Sequence, residues 1–243
     1  MSAQCPRKRR EAPASKRMRR RWVIHHGSER IIRTPVYHGG KPYNDYGYGF
    51  YCTEMEEMAK EWAVSDEHDG YANRYELEME GLQVLDLDKG YTVLTWLAVL
   101  LQNRTFNIDT PLGREAAAYL KKAFWIDAQV YDIICGYRAD DSYFSFAQDF
   151  ISGAISYQQL KYAMQLGKLG RQVVLVSGKA FSQLNYLDTN RALRLDWLEK
   201  KKERDRKARA DYLQSDRMRY RRGDLYVVQI LDEEMTPEDQ RLL

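Results

Sequence analysis

Three cysteines in 243 residues, Cys5, Cys52 and Cys135, are too few and too far apart for a disulfide scaffold, and none sits in a Cys-x-x-Cys pair. The four histidines lack ligand spacing, so no metal is expected. No run of about 18 apolar residues exists, which argues against a membrane-spanning helix. The start carries no apolar stretch of the kind a secretory signal needs, so a reducing cytoplasm is the default compartment. Gly47 and Gly49 form only Gly-x-Gly with no strand immediately before them, which excludes a Rossmann fingerprint. There is no internal repeat.

What is present is 44% hydrophobic and 12% aromatic residues, enough for a sizeable core. The formal net charge of +3 hides segregation along the chain. Residues 1–21 carry +8, residues 22–190 carry −7, residues 191–222 carry +7 and the last 21 residues carry −5. The first stretch has almost no apolar periodicity and reads as a disordered basic tail. Residues 22–187 read as the folded domain. Residues 188–243 read as a basic helix over 188–222, whose middle (EKKKERDRK) has no apolar face, followed by a last strand over 225–230 and an acidic end. The two basic segments suit an acidic or nucleic-acid partner, and a solvated surface equally well.

Within the domain, 22–26 reads as a strand with Trp22, Ile24 and His26 on one face. Residues 33–49, rich in glycine and proline, form a long loop, and 54–63 a short helix with Met58, Ala59 and Trp62 on one side. Residues 74–79 and 82–87 alternate as strands with Gly81 as the turn between them. Residues 92–103 form an apolar helix, and Thr110-Pro111 caps another to about Phe124. Residues 130–135 form a strand, 156–167 a helix from Ser156, and 171–177 a β-branched strand. The irregular order of helices and strands predicts an α+β fold rather than a doubly wound sheet.

The stretch 22–63 carries the chemistry. A strand ends in His25-His26-Gly27-Ser28, a glycine- and tyrosine-rich loop follows, and Asp45-Tyr46-Gly47-Tyr48-Gly49-Phe50-Tyr51-Cys52-Thr53 runs into a helix holding Trp62-Ala63. A histidine at a strand end can bond a sugar hydroxyl, a glycine beside it lets a ligand amide approach the backbone, and aromatic rings at 51 and 62 can wall a flat ring. Each residue also has a plain structural reading, and Trp62 lies on the same apolar face as Met58.

These motifs resemble the NAD-binding half of ADP-ribosyltransferases of the diphtheria-toxin and poly(ADP-ribose) polymerase branch. They are more similar still to a bacterial family of ADP-ribosyltransferase-like domains of unknown function, which also shows Tyr131-Asp132-Ile133-Ile134-Cys135-Gly136, then Ala139-Asp140-Asp141, then a strand beginning with Gln172. The resemblance implies two small packed sheets with an NAD cleft between them, and release of nicotinamide with single ADP-ribose transfer to a protein or nucleic acid. It implies that His26 holds the nicotinamide ribose, Gly27 the carboxamide, and Tyr51 and Trp62 the pyridine ring. Ser28, Gly49 and Phe50 complete the NAD contacts. Gln172 takes the place of the polymerases' glutamate, and Gln cannot be an anion; Asp140 and Asp141 are the carboxylates that would replace it. The departure leaves two other readings open: a catalytically silent NAD- or partner-binding module, and an NAD-hydrolysing toxin or defence factor. Asn103-Arg104 resembles another family pair, and Arg104 reads as structural.

Overall fold

The computed structural model describes residues 20–139, 141–166, 171–214 and 219–242. It is α+β: a seven-stranded mixed sheet with eight α-helices among the described residues. The strands, in chain order, are β1 (Arg21–Ser28), β2 (Phe50–Thr53), β3 (Gly70–Glu78), β4 (Val84–Asp86), β5 (Ile133–Gly136), β6 (Gln172–Leu175) and β7 (Leu184–Ala192). In space they run β4-β5-β6-β2-β1-β3-β7, with only the β4–β5 pair parallel.

The centre of the sheet is its weakest seam. β1 and β3 share eight register pairs, whereas β1 and β2 share one, His25 opposite Thr53. The two packed sheets expected from the resemblance are one sheet here, joined at this narrow junction. The Gly81 turn is present, with φ +72, but it does not close a hairpin. β3 and β4 lie on opposite sides of the seam, because β4 runs parallel beside β5 rather than back along β3.

Side-chain alternation gives the sheet two cores. Ile24, Phe50, Cys52, Tyr75, Val173 and Leu175 pack on one face. Val174 and Ile134 face the other, where the helices pack. There α1 (Glu56–Ala63) crosses β1 and β3, and α2 (Val93–Asn103) is buried from Val93 through Leu101. A helix buried on all sides needs no polar stripe, which is why 92–103 reads as apolar throughout. α3 (Pro111–Ala123) starts as expected, the Thr110 side chain accepting from the Gly113 N–H. α4 (Asp141–Ile151) follows, then α5 (Tyr157–Ala163), whose capping box joins Ser156 and Gln159.

The C-terminal part differs from expectation in three ways. Residues 188–192 belong not to a helix but to β7, an edge strand paired with β3 along its length, so the expected boundary at 187/188 falls inside a strand. After the short α6 (Gly178–Ser182), the basic helix is α7 (Arg194–Gln214). It does have a packed face: Ala208 is buried, and Arg204 reaches the Glu61 carboxylate and Met58 on α1. Its apolar signal is missing because the arginine stem does the covering. Finally, residues 225–230 are no strand. The segment is α8 (Val227–Asp232), burying Val227 and Ile230 against the helical core. A short run of β-branched residues cannot by itself separate strand from buried helix.

Candidate active site

Where β1 and β2 part, the long loop between them folds over the seam and encloses a cleft of about 750 Å³. Its floor is lined by His26, Phe50, Tyr51 and Gln172, which come from three strands. Tyr51 and Gln172 project to the helical face of the sheet, the face that Val174 shares. His26 alternates with Ile24 and belongs to the other face, its ring 4.3 Å from that of Phe50. Only at an open seam can side chains of opposite faces line one space.

His26 bridges the opening. Its Nδ1 lies 2.7 Å from the Tyr51 carbonyl oxygen, which can only accept, so Nδ1 carries the proton. Burial pushes the imidazole pKa below its usual value, which favours the neutral ring. Nε2 is then a bare acceptor. The carbonyl of His26 and its neighbours are held by Asn73, fully buried opposite it on β3. Asn73 Nδ2 donates to Ser28 Oγ at 2.9 Å and to the His26 carbonyl at 3.3 Å, and its Oδ1 accepts from the Ile32 N–H at 3.1 Å.

The Tyr51 hydroxyl is already spent. It donates to the Gly47 carbonyl at 2.7 Å and accepts from the Tyr46 N–H at 3.0 Å. Burial raises its pKa, so the phenol stays protonated and the ring face is what remains for a ligand. Gly47 itself has φ +73, the left-handed region that glycine enters freely.

Gln172 is 7% exposed, and its Oε1 is buried with no hydrogen-bond partner among the described residues. A buried acceptor left unmade costs about 1–3 kcal/mol, and the rest of this side chain lines the cleft floor.

Asp45, the first residue of its motif and assigned no role there, proves to anchor the loop. Its carboxylate accepts from Arg104 Nη1 at 3.0 Å and from the Ala139 N–H at 3.0 Å. Arg104 also donates to the Ala139 carbonyl at 2.5 Å and stacks on Phe144 at 4.2 Å. Burial still raises the Asp45 pKa, outweighing its donors. The structural reading of Arg104 thus acquires a reason. Arg30, Thr34 and Asn44 also line the cleft. Loop residues without periodicity give no signal in a sequence, and Asn73 gave none either.

Other expected residues sit elsewhere. Gly27 does not line the cleft. A Cβ there would lie 2.0 Å from the Ala59 carbonyl oxygen, so this glycine exists to let α1 press on β1. Ser28 is also absent from the lining, its hydroxyl donating to the Arg30 carbonyl at 2.6 Å. Trp62 packs toward the helical core with the Arg138 guanidinium 4.8 Å from its ring, not across the cleft from Tyr51. Gly49 and Phe50 do line it. Asp140 lies outside the described residues, and Asp141 is described only as the first residue of α4. Cys52 and Cys135 are buried free thiols whose pKa burial raises, to about 12 for Cys135, so neither is a ready nucleophile.

The family described as "Protein of unknown function (DUF3990)" matches residues 22–186, which span every residue of this cleft. The chain belongs to that family. Within this DUF3990 chain the matched segment stops inside β7, before the basic helix α7. No curated protein and no solved structure matches the chain. Among the described residues no helix is long and apolar enough to cross a membrane.

Proposed function

We propose that this DUF3990 chain binds NAD in the seam cleft and transfers its ADP-ribose to a macromolecular acceptor, releasing nicotinamide. The observation that carries the reading is the convergence of His26, Tyr51 and Gln172, 146 positions apart at the extremes, on one cleft. Its volume lies within the roughly 300–1,000 Å³ typical of small-molecule sites. The motif resemblance supplies the identity of the ligand.

In this reading the pyridine ring stacks on the Tyr51 face, and a ribose hydroxyl donates to His26 Nε2. The Gln172 amide bonds a second group of the ribose or carboxamide. The glycosidic C–N bond breaks with its electron pair leaving on nicotinamide, which departs neutral. The acceptor's lone pair forms the new bond at C1, and the acceptor loses one proton. The fixed side chains chiefly orient the reacting centre. A neutral amide at 172 stabilises the developing cation less than a carboxylate would, so slow turnover is expected.

That same amide favours a second reading, a binding module that holds NAD without breaking it. Incubation with NAD labelled in the adenylate half, followed by quantification of nicotinamide and labelled product, separates the two. The expected result is slow nicotinamide release, abolished in His26→Ala and raised about tenfold in Gln172→Glu. NAD binding without release in either the wild type or Gln172→Glu selects the binding module. Free ADP-ribose without a labelled acceptor selects a hydrolase. Absence of both binding and release refutes the NAD reading.

A further inference from the structure

On the other flank of the same loop lies a second cleft of about 760 Å³. The loop walls both spaces: Gly39, Gly40 and Asp45 face the first, and Tyr37, His38 and Tyr48 the second. Its remaining wall comes from the end of α2, from the segment after α3 that holds Trp125 and Asp127, and from Ile134 and Val176.

Three features set its chemistry. The first is exposed aromatic surface: Tyr37 is 46% exposed, Tyr48 45% and Trp125 60%. The rings are ordered, with Tyr37, His38 and Tyr48 in a row at centroid spacings of 4.0 and 5.2 Å. His38 holds φ +58, a conformation that a non-glycine residue adopts only against a steric cost. The second is a carboxylate. Asp127 Oδ1 accepts from the Gln129 N–H at 3.1 Å, which steadies the group, and no ion pair engages it among the described residues. The third is that, among the described residues, no lysine or arginine lines the cleft.

Aromatic faces beside an unpaired carboxylate attract a cation and repel phosphate. A guanidinium fits better than an ammonium, because it is planar, stacks on rings and donates two parallel hydrogen bonds to a carboxylate. We propose that this second cleft is a receptor for an arginine side chain of a peptide or protein, held between the exposed rings with Asp127 as counter-ion. The inference does not depend on NAD binding in the first cleft.

The test is calorimetric titration of the full chain with acetyl-Gly-Arg-Gly-amide and with its citrulline and lysine counterparts, alongside ¹⁵N spectra of the tryptophan indoles. The expected result is binding of the arginine peptide at least about tenfold tighter than either counterpart, with movement of the Trp125 indole signal. Trp125→Ala and Asp127→Asn should each weaken it about fivefold or more without moving the melting temperature, since Trp125 is 60% exposed and asparagine keeps an Oδ1 to accept from the Gln129 N–H. No binding at millimolar peptide overturns the proposal. So does citrulline or lysine binding equal to arginine, or variants that bind as the wild type does.

Discussion

Replacing Gln172 by methionine should raise the stability of this protein while weakening its ligand binding. The side chain is 7% exposed, and its Oε1 has no hydrogen-bond partner among the described residues. An unmade buried acceptor costs about 1–3 kcal/mol, and methionine removes it at nearly constant volume. Allowing for imperfect repacking of the thioether in the space the amide fills, the net gain is about 1 kcal/mol. In a chain of this size that raises the melting temperature by about 2–4 °C. The same change deletes one ligand hydrogen bond, worth about 1 kcal/mol, so the affinity for NAD should fall about fivefold. Scanning calorimetry and titration on the same two proteins measure both effects. A methionine variant less stable than the wild type would show that the amide is tied down within the protein. A variant that binds NAD unchanged would remove Gln172 from the site. Either result refutes the reasoning.

Three further outcomes follow from the geometry. Arg104→Ala strips the buried Asp45 of its charged donor and should cost about 2 kcal/mol, with faster amide exchange at Tyr46 and Gly47; a loss below about 0.5 kcal/mol would show that the loop does not rest on this pair. Gly27→Ala puts a methyl group into the Ala59 carbonyl and should cost about 3 kcal/mol or prevent folding; a variant that melts like the wild type would mean that α1 can shift freely. Burial lowers the pKa of both His25 and His26, so the unfolded chain takes up protons first as pH falls below about 6.5. Stability is therefore fully present above that pH and lost as pH falls toward the folded-state values. Urea midpoints that stay level or rise between about pH 7.5 and pH 5 would contradict it.

Much of the local structure was legible. Thr110-Pro111 and Ser156 announced their helices because capping is a contact between near neighbours. The alternation through β1 put Ile24 and His26 on one face because the strand period is two. The motif residues His26, Phe50, Tyr51 and Gln172 meet in one cleft. Gly27 and Trp62 were harder. Each has a residue type that serves ligands and packing alike, and only the position of α1 on the sheet shows the packing each one makes.

The sequence by itself determined the α+β class, the absence of a disulfide scaffold and four of the eight helix starts among the described residues. All three depend on composition or on residues a few positions apart. Tertiary structure alone decided that β4 crosses to the far edge of the sheet, that 184–192 is an edge strand, and that 227–232 is a helix. It also decided that Asp45, Arg104 and Asn73 hold the cleft in shape. The physical reason is range: strand order, and the burial that turns a short apolar run into helix or strand, are set by partners as far apart as Phe50 and Leu175, which no local pattern encodes.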